Sequence, residues 1–108
     1  MKEIKAYIKP HKVHAVNMSL QKIKELTGLS ISNVRGFGYR PPGKVEHVQD
    51  FTEHVKIEII CHDDLADQIV GVIQEAAHTG LQGDGKIYIA EIIEAIRIST
   101  GEQGEVAT

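Results

Sequence analysis

Between Gly80 and Lys86 the sequence reads GLQGDGK, which satisfies G-x-x-x-x-G-K, most of the phosphate-binding pattern of nucleotide hydrolases. The pattern continues with Ser or Thr, whose hydroxyl ligates magnesium; here the next residue is Ile87. A true phosphate loop follows a strand and opens a helix, so that the positive helix end faces the phosphates. Apolar spacing predicts the reverse order here, helix then turn then strand. The hydrolase reading therefore fails on chemistry and on context together. What survives is more general. Gly80, Gly83 and Gly85 allow backbone N–H groups to converge on an anion, and Lys86 adds a point charge. The same glycines equally suit a tight turn between helix and strand.

Other chemistry is thinly supported. The six histidines (His11, His14, His47, His54, His62 and His78) show no HxxxH spacing, and the single cysteine, Cys61, has no cysteine partner. A metal site needs several convergent ligands, so no metal ligand is assigned and solvated or hydrogen-bonding histidines are expected. Paired carboxylates occur at Asp63-Asp64 and at Glu102 with Glu105. The first pair reads as a helix start and the second lies in a polar tail. Asp84 beside Lys86 lacks a residue to place a water or magnesium, so the chain is not expected to be an enzyme.

The elements that must carry these residues follow from periodicity. Ile4, Ala6 and Ile8 alternate with Lys5, Tyr7 and Lys9, a half-buried strand stopped by Pro10. Val13, Val16, Leu20 and Ile23 recur at three and four, predicting a helix from His11 to Leu26, ended by Thr27-Gly28. A second strand is expected from Ser30 to Gly38, then an exposed loop through GFGYRPPGKVEHVQD. Val55, Ile57, Ile59 and Cys61 mark the third strand, with Cys61 as a small buried hydrophobe. Leu65, Ile69, Val72, Ile73 and Ala76 mark a second helix with Asp63 or Asp64 at its N-cap. KIYIA is the fourth strand, and the tail from Glu91 is expected to end in a polar, mobile segment. Strand, helix, strand, strand, helix, strand is the βαββαβ order of an α+β, ferredoxin-like sandwich.

With 108 residues the chain is long enough for one domain. Its formal net charge of −3, without long blocks of either sign, argues against nucleic acid as a partner. No run approaches the roughly 18 apolar residues of a membrane span. One cysteine and no secretory pattern suggest a reducing, cytoplasmic setting.

A second glycine cluster, GFG at Gly36, Phe37 and Gly38, precedes the long loop, and IRISTGE follows the last strand. Taken in order, IKAYIKPHK, VRGFG, VKIEI, HTGLQGDGKIYI and AIRISTGEQGE make the sequence resemble the PII signal-transduction family, small trimeric nitrogen-regulatory proteins. The resemblance covers nearly the whole chain. It implies a single PII-like domain over 1–108, with a T-loop at 39–53, a phosphate-binding loop at 80–86 and a C-terminal segment at 97–108. It also implies a homotrimer that binds ADP, AMP or ATP in clefts between protomers. The T-loop would respond to ligand and dock on a protein partner, a membrane transporter or a metabolic enzyme. Gly83, Asp84, Gly85 and Lys86 would surround the phosphates, with Gly36, Phe37 and Gly38 at the loop base. Glu58 and Ile60 would line the cleft, Ser30 would lie near the adenine, and Arg97 would reach over from the neighbouring protomer.

The sequence departs from that family pattern at four places. The T-loop is shorter than is typical and lacks the tyrosine that some members carry for uridylylation; Tyr39 stands at the loop base instead. Arg40 replaces a glutamine that helps hold Mg-ATP and 2-oxoglutarate, and a guanidinium has no acceptor for magnesium. His54 replaces a lysine that pairs with a 2-oxoglutarate carboxylate. Ser99 replaces a second arginine; losing one charged phosphate contact costs about 1.5–3 kcal/mol, roughly ten- to a hundredfold in affinity. These changes argue against the usual Mg-ATP and 2-oxoglutarate response and favour ADP or AMP. Arg40 would also suit a small anion, so an alternative is a PII-like sensor of bicarbonate linked to inorganic carbon uptake or carboxysomes. A metal-responsive relative is the weaker alternative.

Overall fold

In a computed structural model the chain is described over residues 1–36 and 52–108. The strands are β1 (Lys2–Ile8), β2 (Ser30–Gly36), β3 (Thr52–Cys61) and β4 (Gly85–Glu91), and the helices are α1 (Val13–Leu20) and α2 (Asp63–Ala77). Short 3-10 turns at Pro10–Lys12 and Gly104–Ala107 complete the order. The sheet is antiparallel throughout, in the order β2-β3-β1-β4. This is the expected α+β, ferredoxin-like βαββαβ arrangement.

Alternation sorts the sheet into two faces. Ile4, Ala6, Ile8, Val55, Ile57, Ile59 and Cys61 are buried against Val16, Leu20, Ile69 and Ile73 from the helices. At about 1.5–3 kcal/mol for each fully buried large aliphatic side chain, this one cluster supplies most of the driving force for folding. Burial pushes the Cys61 thiol upward from its usual range, so it is an inert core residue. The opposite face carries Lys5, Tyr7, Lys56, Glu58 and Tyr88. There Lys56 and Glu58 pair at 3.7 Å, and Tyr7 meets Tyr88 edge to face with centroids 6.1 Å apart.

Several expected boundaries shift. The first helix spans Val13–Leu20, not His11 to Leu26. Beyond it Ile23 N–H donates to Leu20 and Leu26 N–H to Ile23, three-residue turns that keep Ile23 in the core after the α-helix has ended. The N-cap of α2 is His62, in an extended conformation, rather than Asp63 or Asp64. Asp63 lies in the first turn and binds the Met1 ammonium at 2.9 Å, which lowers its own pKa and raises that of Met1. β2 is described to Gly36; the expected continuation to Gly38 lies outside the described residues. β3 begins at Thr52, so 52–53 belong to the sheet rather than the loop, pairing with Gly36 and Arg35. Nor is the tail loose. Ile96 bridges Gln103, and Glu105 accepts from the Met1 ammonium at 3.5 Å and bonds His62 Nδ1 at 3.0 Å.

One glycine fixes where β4 meets β1. Gly85 pairs with Ile8 at a φ of +103°, and a Cβ there would fall 1.7 Å from the Tyr7 carbonyl oxygen. Gly85→Ala should therefore destabilise the protein by about 3 kcal/mol or more, or prevent folding. Gly71, inside α2, has nothing within 4 Å of an added Cβ. Gly71→Ala should stabilise by about 0.5–1 kcal/mol. Denaturant unfolding of both variants checks the pair; equal effects would contradict this account of the β1–β4 contact.

Candidate functional site

The chain leaves α2 at His78 and must reverse into β4 within a few residues. Gly80 at φ +83° and Gly83 at φ +86° allow that path. What holds it is a carboxylate. Asp84 Oδ2 accepts the backbone N–H groups of Thr79 at 2.8 Å and Gly80 at 3.1 Å, and Oδ1 accepts the Thr79 hydroxyl. The Lys9 ammonium, from the residue after β1, lies 3.2 Å from both Asp84 Oδ1 and Thr79 Oγ1. His78 Nδ1 stands 3.6 Å from Oδ2, and Leu81 N–H donates to Thr79 Oγ1 at 3.1 Å. The Thr79 hydroxyl and amide, then Lys9 and the Gly80 amide, hold the Asp84 carboxyl far below the usual carboxylate range.

This changes the task of two expected site residues. The anion gripped by the first half of the glycine turn is the chain's own carboxylate, so the Gly80 amide is committed to it. The Asp84 side chain organises the turn. No local pattern gives Lys9 or Thr79 a role, although IKAYIKPHK and HTGLQGDGKIYI contain them. Their signal is visible only in space: 70 residues separate Lys9 from Thr79, and the β1–β4 pairing brings them together.

Gly83, Gly85 and Lys86 share the same corner. Lys86 is exposed and pairs across to Tyr7, and β4 opens at Gly85, so the last two residues of the expected 80–86 loop are already strand. Beside the turn lies an open cleft of about 430 Å³ bounded by Tyr7, Asp84, Gly85 and Lys86 on one side and by Gln74 of α2 and His78 just after it on the other. His54, near the start of β3, joins the turn from the sheet side through Nε2, 3.1 Å from the Gly83 carbonyl.

A second cleft, of about 330 Å³, lies elsewhere. Ser30, Glu58 and Ile60 line it with Gly28, Ala95 and Thr108. Ser30 and Glu58 are cross-strand partners, which is why they meet. Thr108 Oγ1 is buried without a hydrogen-bond partner among the described residues. Arg97 belongs to neither cleft. Its guanidinium bonds Glu102 at 3.0 Å and the Val106 carbonyl at 2.8 Å, closing the C-terminal segment on itself. Ser99 is exposed in the turn of that segment. Gly36 ends β2 opposite Thr52. Phe37, Gly38, Tyr39 and Arg40 lie outside the described residues. Among the described residues no three His, Cys, Asp or Glu side chains converge as a metal site, and no helix is long and apolar enough to cross a membrane.

Comparison with known proteins gives a consistent result. A family model described as nitrogen regulatory protein P-II matches residues 1–102. The nitrogen regulatory protein P-II of Bradyrhizobium diazoefficiens is 44% identical over 110 residues, covering 96% of each chain. Nitrogen regulatory protein P-II 1 of Escherichia coli K12 is 41% identical over 113 residues, covering 99% of each. Among solved structures, Arabidopsis thaliana PII bound to citrate superposes with a TM-score of 0.82 at 36% identity, covering 99% of this chain and 91% of that one.

The lowered pKa of Asp84 fixes the sign of a pH effect. A carboxylate favoured in the folded state contributes stability above its unfolded pKa, near 3.9, and loses it as pH falls toward the folded value. Between pH 5 and pH 2 the thermal midpoint of the wild type should fall more steeply than that of Asp84→Asn, and the two curves should converge in acid. Parallel curves would mean that Asp84 does not hold the turn as a carboxylate.

Proposed function

The chain belongs to the nitrogen regulatory protein P-II family, and from that premise we propose that it is a non-enzymatic signalling protein that binds an adenine nucleotide between identical protomers. The observation that carries this reading is the placement of the expected site residues on opposite edges of one sheet. Gly83, Gly85 and Lys86 belong to the β4 edge, while Ser30 lies on the β2 edge with Glu58 and Ile60 beside it. Three strand spacings separate these edges, about 14 Å. A nucleotide that used both sets would lie where the β2 edge of one protomer approaches the β4 edge of the next, and a ring of such contacts closes as a trimer.

In that arrangement Gly83, Gly85, Lys86 and the backbone of Asp84 would surround the phosphates, with Gly36, Phe37 and Gly38 at the loop base. Ser30, Glu58 and Ile60 would take the adenine side. Arg97 would approach from the neighbouring C-terminal segment, where Ser99 supplies a hydroxyl in place of a charge. The loop at 39–51, carrying Tyr39 and Arg40 and leading into β3 two residues before His54, would pass the ligand state to a transporter or metabolic enzyme through a shift between loop conformations. The inorganic-carbon alternative rests on Arg40, outside the described residues, and no feature of the described site favours it.

Calorimetry with ADP, AMP and ATP, with and without magnesium and 2-oxoglutarate, tests the ligand. ADP or AMP should compete well with ATP, and Lys86→Ala should weaken ADP binding at least tenfold through loss of a charged contact. ATP binding far tighter than ADP, enhanced by magnesium with 2-oxoglutarate, would reject this preference. Light scattering should give three protomers; a monomer in the presence of ADP would remove the seam.

A further inference from the structure

His54 joins two parts of the molecule that the fold otherwise keeps apart. It stands near the start of β3, directly after the long loop, while Gly83 stands in the turn before β4, and β1 lies between these strands. Their link is a contact of 3.1 Å between His54 Nε2 and the Gly83 carbonyl. A carbonyl can only accept, so Nε2 carries the hydrogen. That fixes the tautomer of the neutral ring and leaves Nδ1 to gain the second proton. The contact therefore survives in both charge states, but in one of them a full positive charge sits against the glycine turn.

Resting on the nucleotide site proposed above, we propose that His54 makes nucleotide affinity proton-linked: its charged form strengthens phosphate binding at the Gly83–Lys86 corner. Imidazole is the side chain whose charge ordinarily changes between pH 5 and 8, which is the window in which the effect is sought. The surrounding charges divide into two groups. Arg35 and Glu53 line the same groove as His54, with Pro10, Asn33 and Val34 between them, and Lys56 follows two residues along the same sheet face. On the turn side stand Lys9 and Asp84, paired at 3.2 Å, and Lys86. Asp84 is committed to Lys9 and the Thr79 and Gly80 amides, so it is not the partner that an imidazolium here would neutralise. A bound polyphosphate is. By reciprocity, a ligand that prefers charged His54 must take up a proton on binding and raise the pH at which His54 titrates.

His62, next to the end of β3 that pairs with Lys2, lies at the opposite end of the sheet from Gly85 and serves as the control. ADP affinity is measured at pH 6 and pH 8 for the full chain, for His54→Gln, which keeps a donor for Gly83 without a titrating group, and for His62→Gln. The ratio of affinities at the two pH values should be about three- to tenfold larger in the wild type than in His54→Gln, as expected for one added charge near a phosphate. His62→Gln should keep the wild-type ratio, and the difference between variants cancels the titration of ADP itself. Nuclear magnetic resonance of the His54 ring in the wild type, with and without ADP, gives a readout that needs no variant: ADP should shift its titration to higher pH. Identical pH ratios in wild type and His54→Gln, or a His54 titration that ADP leaves in place, overturns the proposal while leaving nucleotide binding intact. Absence of ADP binding at either pH overturns the site itself, and this proposal with it.

Discussion

The corner of the molecule that matters most depends on one carboxylate in the wrong place for a ligand and the right place for a turn. Asp84 draws in two backbone N–H groups, one hydroxyl and one ammonium, and the ammonium belongs to Lys9 at the far end of the chain. Without that anion the Thr79 and Gly80 amides would need another acceptor, because a helix-to-strand reversal through three positive-φ glycines has few hydrogen bonds of its own. With it, the turn is pinned to the end of β1, and β4 enters the sheet at the one register where Gly85 can pass the Tyr7 carbonyl. Lys86 inherits its position from both constraints.

This arrangement explains why the glycine turn reads like a phosphate loop without being one. Converging amides and a lysine are the general solution to holding an anion. Here the solution is applied internally, on Asp84, while Gly83, Gly85 and Lys86 remain on the exposed edge, where the proposed ligand would meet them. A magnesium-ligating hydroxyl has no place in the second half, since the strand has begun and Ile87 points its side chain toward the core.

Much of this was legible in the chain. Period-two alternation marks β1 and β3 because each buries one face against the helices, and those assignments needed only Ile4, Ala6, Ile8, Val55, Ile57 and Ile59. The first helix was read too long for a physical reason: three-residue turns after Leu20 keep Ile23 on the buried side, so apolar spacing continues after the α-helix stops. The site was half legible. Glycine clusters and Lys86 announce themselves locally, whereas the roles of Lys9, Thr79 and His54 depend on strand pairing across 70 and 29 residues, which no local pattern encodes. The resemblance places Asp84 with Gly83, Gly85 and Lys86 around the phosphates; that its side chain also holds the turn depends on Thr79 and Lys9, partners visible only in space.

Arg97 is held within the C-terminal segment, from which the proposed seam would draw on it. Its guanidinium is held by Glu102 and the Val106 carbonyl, and the Arg97 amide donates to the Glu102 carbonyl at 2.8 Å. An exposed ion pair of this kind contributes about 0–1 kcal/mol, so exchanging Glu102 for a phosphate across the proposed seam would cost little. Holding the arginine in a short closed segment meanwhile removes much of the rotamer freedom that a contact would otherwise have to freeze. A weak internal partner would thus suit binding better than either no partner or a strong one, and with Ser99 in place of a second arginine this guanidinium would carry the charge from that side of the proposed seam.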